Sequence, residues 1–236
     1  MSSPLAGSVA LVTGASRGLG AAVAVALARL GAHVVATGRS QGGLEETDDA
    51  VRAAGGACSL LVQDLARGAE VDAIGPSLYQ RFGRLDVLVH CAAGLGVLTP
   101  TPHIQDKDFT AAWAVNVDAT RRLIRTCAPL LAVAEAGRAV FVTSAVTEVP
   151  RAYWGTYGAG KAALEYLALA WAAEVATSRL RVNLFDPGKM GTRLRRGAFP
   201  GEDQSVLPKP ADVAPQLAVL CLPGETRNGA RVRVAG

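Results

Sequence analysis

Apolar runs of strand length recur along the 236-residue chain, and longer stretches of helical periodicity separate them. The short runs cover residues 9–13, 33–37, 58–62, 87–91, 139–144, 181–185 and 231–234. Most are continuous rather than alternating, the pattern of strands covered on both faces. Helical patterns fill the gaps at 18–30, 43–54, 70–82, 106–131, 155–176 and 211–222. Such alternation predicts right-handed βαβ units, hence an α/β fold: a Rossmann-type, doubly wound parallel sheet of about seven strands with helices on both faces. No linker, internal repeat or low-complexity block interrupts it, so residues 1–236 read as a single domain for binding and chemistry. The Pro- and Gly-containing stretches 99–102 and 200–210 read as loops at the carboxyl edge, where open α/β sheets receive ligands.

Composition narrows the field. Half the residues are hydrophobic, which excludes disorder, and no run approaches the roughly 20 apolar residues needed to cross a bilayer. The opening MSSPLAGS lacks the basic start and apolar centre of an export signal, so a cytoplasmic location is expected and no membrane partner. Net charge is +4, but the arginines are scattered without interleaved aromatics, which disfavours nucleic acid. Cys58, Cys91, Cys127 and Cys221 are widely spaced, with no Cys-x-x-Cys, and read as structural thiols rather than metal ligands or disulfides.

Two short motifs bring in chemistry. The first strand runs into TGASRGLG, residues 13–20, and a helical pattern follows at once. Gly14 permits a tight turn, Gly18 lets the main chain approach a pyrophosphate, and Gly20 lets the helix pack closely on the sheet. The helix start then offers amide donors to phosphates. In YGAGK, Tyr157 and Lys161 lie four residues apart and share a helix face. A cation about 4 Å from a phenol contributes roughly 4 kcal/mol at an effective dielectric near 20, which lowers the phenol by up to roughly 3 pKa units before desolvation opposes it. The pair therefore reads as a proton donor and acceptor.

With Gly-x-x-x-Gly-x-Gly at 14, 18 and 20, and Ser144 thirteen residues before Tyr157, the chain resembles the short-chain dehydrogenase/reductase family over residues 5–236. The resemblance implies a catalytic tetrad of Asn116 in WAVNVDAT, Ser144 in VFVTSA, Tyr157 and Lys161. It implies cofactor contacts from Gly14, Ser16, Arg17, Gly18, Leu19 and Gly20, from Asp64 and Leu65 beside the adenine, from Ala92, and from Pro187, Gly188 and Thr192, in addition to Asn116, Tyr157 and Lys161. The implied reaction passes hydride between a nicotinamide dinucleotide and a carbonyl or alcohol. Tyr157 would be the general acid, Lys161 would hold the phenolate and the nicotinamide ribose, Ser144 would orient the carbonyl, and Asn116 would bind a relay water. A homodimer or homotetramer built on the Tyr157 and Asn116 helices is implied too. The chain departs from the family at HCAAG, residues 90–94, where Asn-Asn-Ala-Gly is common, and His90 reads as a structural strand-end residue. Glycines in YGAGK replace a common serine and should loosen the helix start.

At the end of the second strand, Gly38 and Arg39 stand where a carboxylate would hydrogen-bond a ribose 2′-OH. Arg39, joined by Arg17, can instead grip a 2′-phosphate, so NADP(H) is the expected cofactor. Loops 94–99, 145–155 and 190–199 should wall the substrate pocket. Val97, Leu98, Val149, Tyr153, Trp154, Met190, Leu194 and Phe199 suggest an apolar site for a small-molecule carbonyl. Arg151, Arg193, Arg195 and Arg196 either face water or meet the anionic tail of a 3-oxoacyl thioester. The stripe Leu164, Leu167, Ala168 and Trp171 serves either the core or a partner helix. A nucleotide-binding regulatory protein without turnover is the other reading, and the intact tetrad argues against it.

Overall fold

The computed structural model describes residues 3–235. Strands β1 (Val9–Thr13), β2 (His33–Gly38), β3 (Ala57–Val62), β4 (Val87–His90), β5 (Arg138–Val142), β6 (Arg181–Asp186) and β7 (Arg231–Arg233) form one parallel sheet in the order β3-β2-β1-β4-β5-β6-β7. Every residue of β1, β4 and β5 is buried, which is why their apolar runs do not alternate. The winding reverses between β1 and β4, paired from Ala10↔Val87 to Thr13↔His90. That reversal opens a crevice at the carboxyl edge.

Helices α1 (Gly18–Arg29), α2 (Gln41–Ala53) and α9 (Pro210–Val219) cover one face, with Leu27, Leu44 and Leu217 in a shared core. Helices α3 (Gly68–Asp72), α4 (Ile74–Phe82), α5 (Asp106–Trp113), α6 (Ala119–Val133) and α7 (Gly155–Glu174) belong to the other face, whose core holds Ile74, Leu123, Leu164 and Trp171. In α7, Leu164, Ala168 and Trp171 are buried and Leu167 is half-buried, so this stripe serves the core. No helix among the described residues is long and apolar enough to cross a membrane.

Three expectations need correction. The helix expected over 106–131 is split by a π-helical turn, Ala114–Asp118, between α5 and α6. The one expected over 70–82 is α3 and α4, which meet at Ala73. Residues 190–199 are not all loop, for α8 (Arg193–Ala198) forms there, with the Thr192 side chain accepting from the Arg195 amide at 3.1 Å as its N-cap.

Arg138 fastens the amino end of β5. It is 4% exposed and donates to the carbonyls of Gly137 (2.7 Å), Arg179 (3.1 Å), Leu222 (3.1 Å) and Pro223 (2.5 Å). Its fork thus ties the α7–β6 connection to the α9–β7 connection. Arg138→Lys keeps the charge but leaves carbonyls unanswered, and should cost about 1–3 kcal/mol of unfolding free energy, read from urea denaturation. All four cysteines are free, with Cys127 and Cys221 buried and Cys58 and Cys91 half-buried. No potential metal-holding group of His, Cys, Asp and Glu occurs among the described residues.

Candidate active site

The expected site residues follow the strands to the carboxyl edge: the glycine turn after β1, Arg39 after β2, Asp64 and Leu65 after β3, Ala92 after β4, Ser144 after β5, and Pro187 and Gly188 after β6. Close approach explains two of the glycines. A Cβ on Gly14 would fall 2.8 Å from the Ala92 main chain, and one on Gly20 would fall 2.3 Å from the Gly14 carbonyl oxygen. Gly14 and Gly18 also have φ of 66° and 58°, where a side chain is strained. Arg17 precedes α1 without a side-chain capping bond, so the first amides of that helix lack a cap. Arg17 and Arg39 are exposed and have no ion-pair partner among the described residues. At Gly38 a Cβ would stand 3.3 Å from the Ser16 hydroxyl, so the turn fills the place of an acidic side chain.

The remaining expected contacts are more varied. Asp64 accepts from the Ala66 amide at 3.1 Å, and Leu65 is buried. Gly188 takes φ of 65° and donates its amide to Asp186 at 3.2 Å. Thr192 faces the glycine turn, its Cγ2 being 3.7 Å from where a Gly18 Cβ would lie.

Tyr157 and Lys161 sit in the first turns of α7, 5% and 1% exposed. Lys161 donates to the Val142 carbonyl at 2.7 Å and has no second acceptor among the described residues. Its Nζ lies 6.0 Å from the Tyr157 ring centroid. Burial lowers the ammonium pKa to about 8, with Cys91 and Glu165 opposing. For the phenol the desolvation that opposes such a lowering is decisive. Burial raises Tyr157 to about 12, the Ser144 hydroxyl opposes the rise, and Asp186 adds to it. Desolvation is the largest of these effects. The Ser144 hydroxyl lies within hydrogen-bonding reach of the phenol, so the two can address one substrate oxygen together.

Asn116 occupies the π-helical turn and is fully buried. Its Oδ1 accepts from the Gly94 amide at 2.9 Å and its Nδ2 donates to the Gly94 carbonyl at 2.8 Å, clasping the segment that follows β4. A Cβ on Gly160 would press on Asn116 at 3.1 Å, so this glycine allows α7 to approach the turn rather than merely loosening its start.

His90 reaches the same turn from beneath. Thr120 donates to the Asn116 carbonyl at 2.9 Å, so His90 Nε2 carries the proton and donates to the Thr120 hydroxyl at 3.1 Å. Nδ1 therefore accepts from Thr13, at 2.8 Å, while the Thr13 oxygen accepts from the Ala92 amide at 3.2 Å. The imidazole joins β1 and the post-β4 segment to the Asn116 turn, a bridge that the sequence reading of a strand-end residue did not contain. Burial, then the Lys161 charge, lowers its pKa from 6.5 to about 3. The unfolded chain thus binds the extra proton between these values, and stability is lost as pH falls from 6.5 toward 3, by up to about 1.4 kcal/mol per pH unit. Urea midpoints should fall from about pH 7 to about pH 4 and fall less in His90→Asn; identical slopes would remove this role.

An aromatic wall adjoins the phenol. Trp154 stands edge-on to Tyr157 with centroids 5.7 Å apart, and Phe199 lies 5.7 Å from Trp154. The chain enters α7 through Tyr153 at φ of 73°, an uncommon conformation for a side-chain-bearing residue, just before Trp154. Arg195 stacks 3.7 Å from the Phe199 centroid and pairs with Glu202 through two bonds of 2.5 Å, which removes it from the candidates for an anionic tail. Arg193 and Arg196 are exposed.

Residues 8–203 match the family model described as short chain dehydrogenase. The chain is 35% identical over 210 residues to the uncharacterized oxidoreductase YciK of Escherichia coli K12, covering 88% of this chain and 83% of that protein. It is 33% identical over 192 residues to the 3-oxoacyl-[acyl-carrier-protein] reductase FabG of Pseudomonas aeruginosa, covering 81% and 77%. Among solved structures, a putative short chain dehydrogenase from Pseudomonas syringae superposes with a TM-score of 0.94 at 36% identity, covering 99% of this chain and 96% of that one. A putative short chain dehydrogenase from Escherichia coli CFT073, complexed with NADPH, superposes with a TM-score of 0.93 at 32% identity, covering 99% and 98%.

Proposed function

The chain belongs to the short-chain dehydrogenase family, and from that premise we propose that it is an NADP(H)-dependent oxidoreductase of small-molecule carbonyls or alcohols, with binding and chemistry in one domain. The observation that carries this reading is the buried Tyr157–Lys161 pair on α7, beside Ser144 and the Asn116 turn. The residues fit the dinucleotide: uncapped amides at the start of α1 suit its phosphates, and free Arg17 and Arg39 suit a 2′-phosphate. When bound, the nicotinamide supplies the hydride.

The chain's own groups manage the proton. Ser144 donates a hydrogen bond to the carbonyl oxygen and concentrates charge there, while Tyr157 gives that oxygen its proton. A phenol raised to about 12 remains protonated at neutral pH and is thus loaded for this step. Lys161, with its unused donors, stabilises the phenolate left behind and holds the ribose. Asn116 holds Gly94 through both ends of its side-chain amide, and a relay water would bind at this turn beside Lys161. The wall of Trp154 and Phe199 excludes bulk water and favours an apolar substrate.

On α7, Ala159, Ala162, Tyr166, Leu169 and Ala173 form an exposed apolar stripe opposite the core-facing one, with Tyr166 at 78% exposure. This face supports a homo-oligomer through α7.

Cofactor preference is tested by titrating NADPH and NADH separately into the protein and its Arg39→Ala variant. Loss of one charge-assisted contact should weaken NADPH about 10- to 100-fold and leave NADH nearly unchanged. Tighter NADH binding by the parent protein would remove the proposal.

A further inference from the structure

A charged cluster lies behind the catalytic hydroxyls, centred on Arg231 of the last strand. Arg231 Nη2 donates to the Ser144 main-chain carbonyl at 2.9 Å, and Nη1 donates to the Thr147 hydroxyl at 2.9 Å and to Glu165 at 2.5 Å. Thr147 also donates to the Ser144 carbonyl at 2.9 Å, and Thr143 donates to Glu165. Ser144 is thus held on its main-chain side by Arg231, itself anchored to one carboxylate, and by Thr147, whose single proton is shared between the Ser144 carbonyl and Glu165 at 2.8 Å.

That carboxylate belongs to the helix carrying the rest of the site. Glu165 follows Lys161 by four residues and Tyr157 by eight, so the three share a face of α7. It is half-buried, and its partner Arg231 also pairs with Asp186 at 3.3 Å and Glu148 at 3.2 Å. The spacing between the Ser144 and Tyr157 hydroxyls depends on how the end of β5 sits against α7. Here one guanidinium bolts the two together from β7. Displacement of a reacting group by about 1 Å can cost about 100-fold in rate, so a fastener at this point matters to turnover.

We propose that Arg231, held by Glu165, is a positioning residue that sets Ser144 against Tyr157 for carbonyl reduction. The proposal rests on the reductase reading above. Arg231 touches neither the reacting oxygen nor the phenol in this arrangement and acts through the Ser144 main chain. Arg233 provides a control, since it shares Asp186 and Glu148 from the same strand without a bond to Ser144.

The test compares Arg231→Met, Arg231→Lys, Arg233→Ala, Ser144→Ala and the Arg231→Met/Ser144→Ala double variant. With a carbonyl that the parent protein reduces, Arg231→Met should lower kcat about 10-fold or more with NADPH affinity within about twofold, and Arg231→Lys should recover part of the loss. In the Ser144→Ala background, Arg231→Met should change kcat less than about threefold, because the hydroxyl it serves is gone. Hydrogen exchange of amides 143–149 should quicken in Arg231→Met and not in Arg233→Ala. Losses that multiply in the double variant, unchanged kcat, or unchanged exchange would each overturn the proposal. If the parent protein reduces no carbonyl, the functional reading fails, and the exchange comparison still decides whether Arg231 holds Ser144.

Discussion

Tyr157→Phe is expected to lower kcat by about 10²–10⁴-fold while NADPH affinity stays within about twofold. The substitution removes one oxygen and keeps the ring that packs edge-on against Trp154. The phenol is 5% exposed and its pKa lies near 12, so it is protonated at neutral pH beside Ser144. His90 cannot substitute, because it is fully buried, holds its Nε2 proton in the Thr120 bond, and titrates near 3. Single-turnover mixing with NADPH separates the effects: binding should persist and hydride transfer should collapse. Loss of both together would point to a misfolded site, and retained turnover would assign the proton to another group.

Lys161→Met should act in two opposite directions. Activity should fall about 10²–10³-fold, the scale of losing a preorganised donor beside developing charge. Stability should rise by roughly 1–3 kcal/mol near neutral pH, since an ammonium 1% exposed, with one hydrogen bond, is replaced by an apolar chain of similar length. The pH dependence follows from its depressed pKa. Below about 8 the folded protein carries a poorly solvated cation, and this penalty is relieved as pH rises from about 8 toward the unfolded value of 10.5. The gain from Met should therefore be largest below about pH 8 and shrink above it. Thermal unfolding of both proteins at about pH 7 and about pH 9.5 checks this, and a variant less stable than the parent at both would contradict it.

Much of the fold was legible because its signals are local. Continuous apolar runs marked β1 to their ends, and the turn after β1 announced itself by glycines whose missing Cβ atoms are now seen to be required at Gly14 and Gly20. Tyr157 and Lys161 were found by spacing alone. The π-helical turn at Asn116 was hidden, since an i→i+5 bond leaves the helical apolar pattern unbroken on either side. The split at Ala73 and the short α8 likewise lie below what periodicity resolves. The upward shift of Tyr157 is not legible in its spacing from Lys161, because a spacing of four fixes proximity but not burial. Arg231 and His90 were beyond reach for a plainer reason: their partners are remote in sequence, Ser144 and Glu165 in one case, Thr13 and Thr120 in the other.

The central claim is that Tyr157 protonates a carbonyl oxygen while hydride arrives from NADPH. It is tested most directly by incubating the protein with NADPH deuterated at the transferring position and a panel of ketones, aldehydes, quinones and 3-oxoacyl thioesters, followed by mass analysis of the alcohols. The account predicts a deuterated alcohol from at least one member, formed by the parent protein and lost with Tyr157→Phe. Tight NADPH binding without deuterium in any product, or equal product from both proteins, would contradict it.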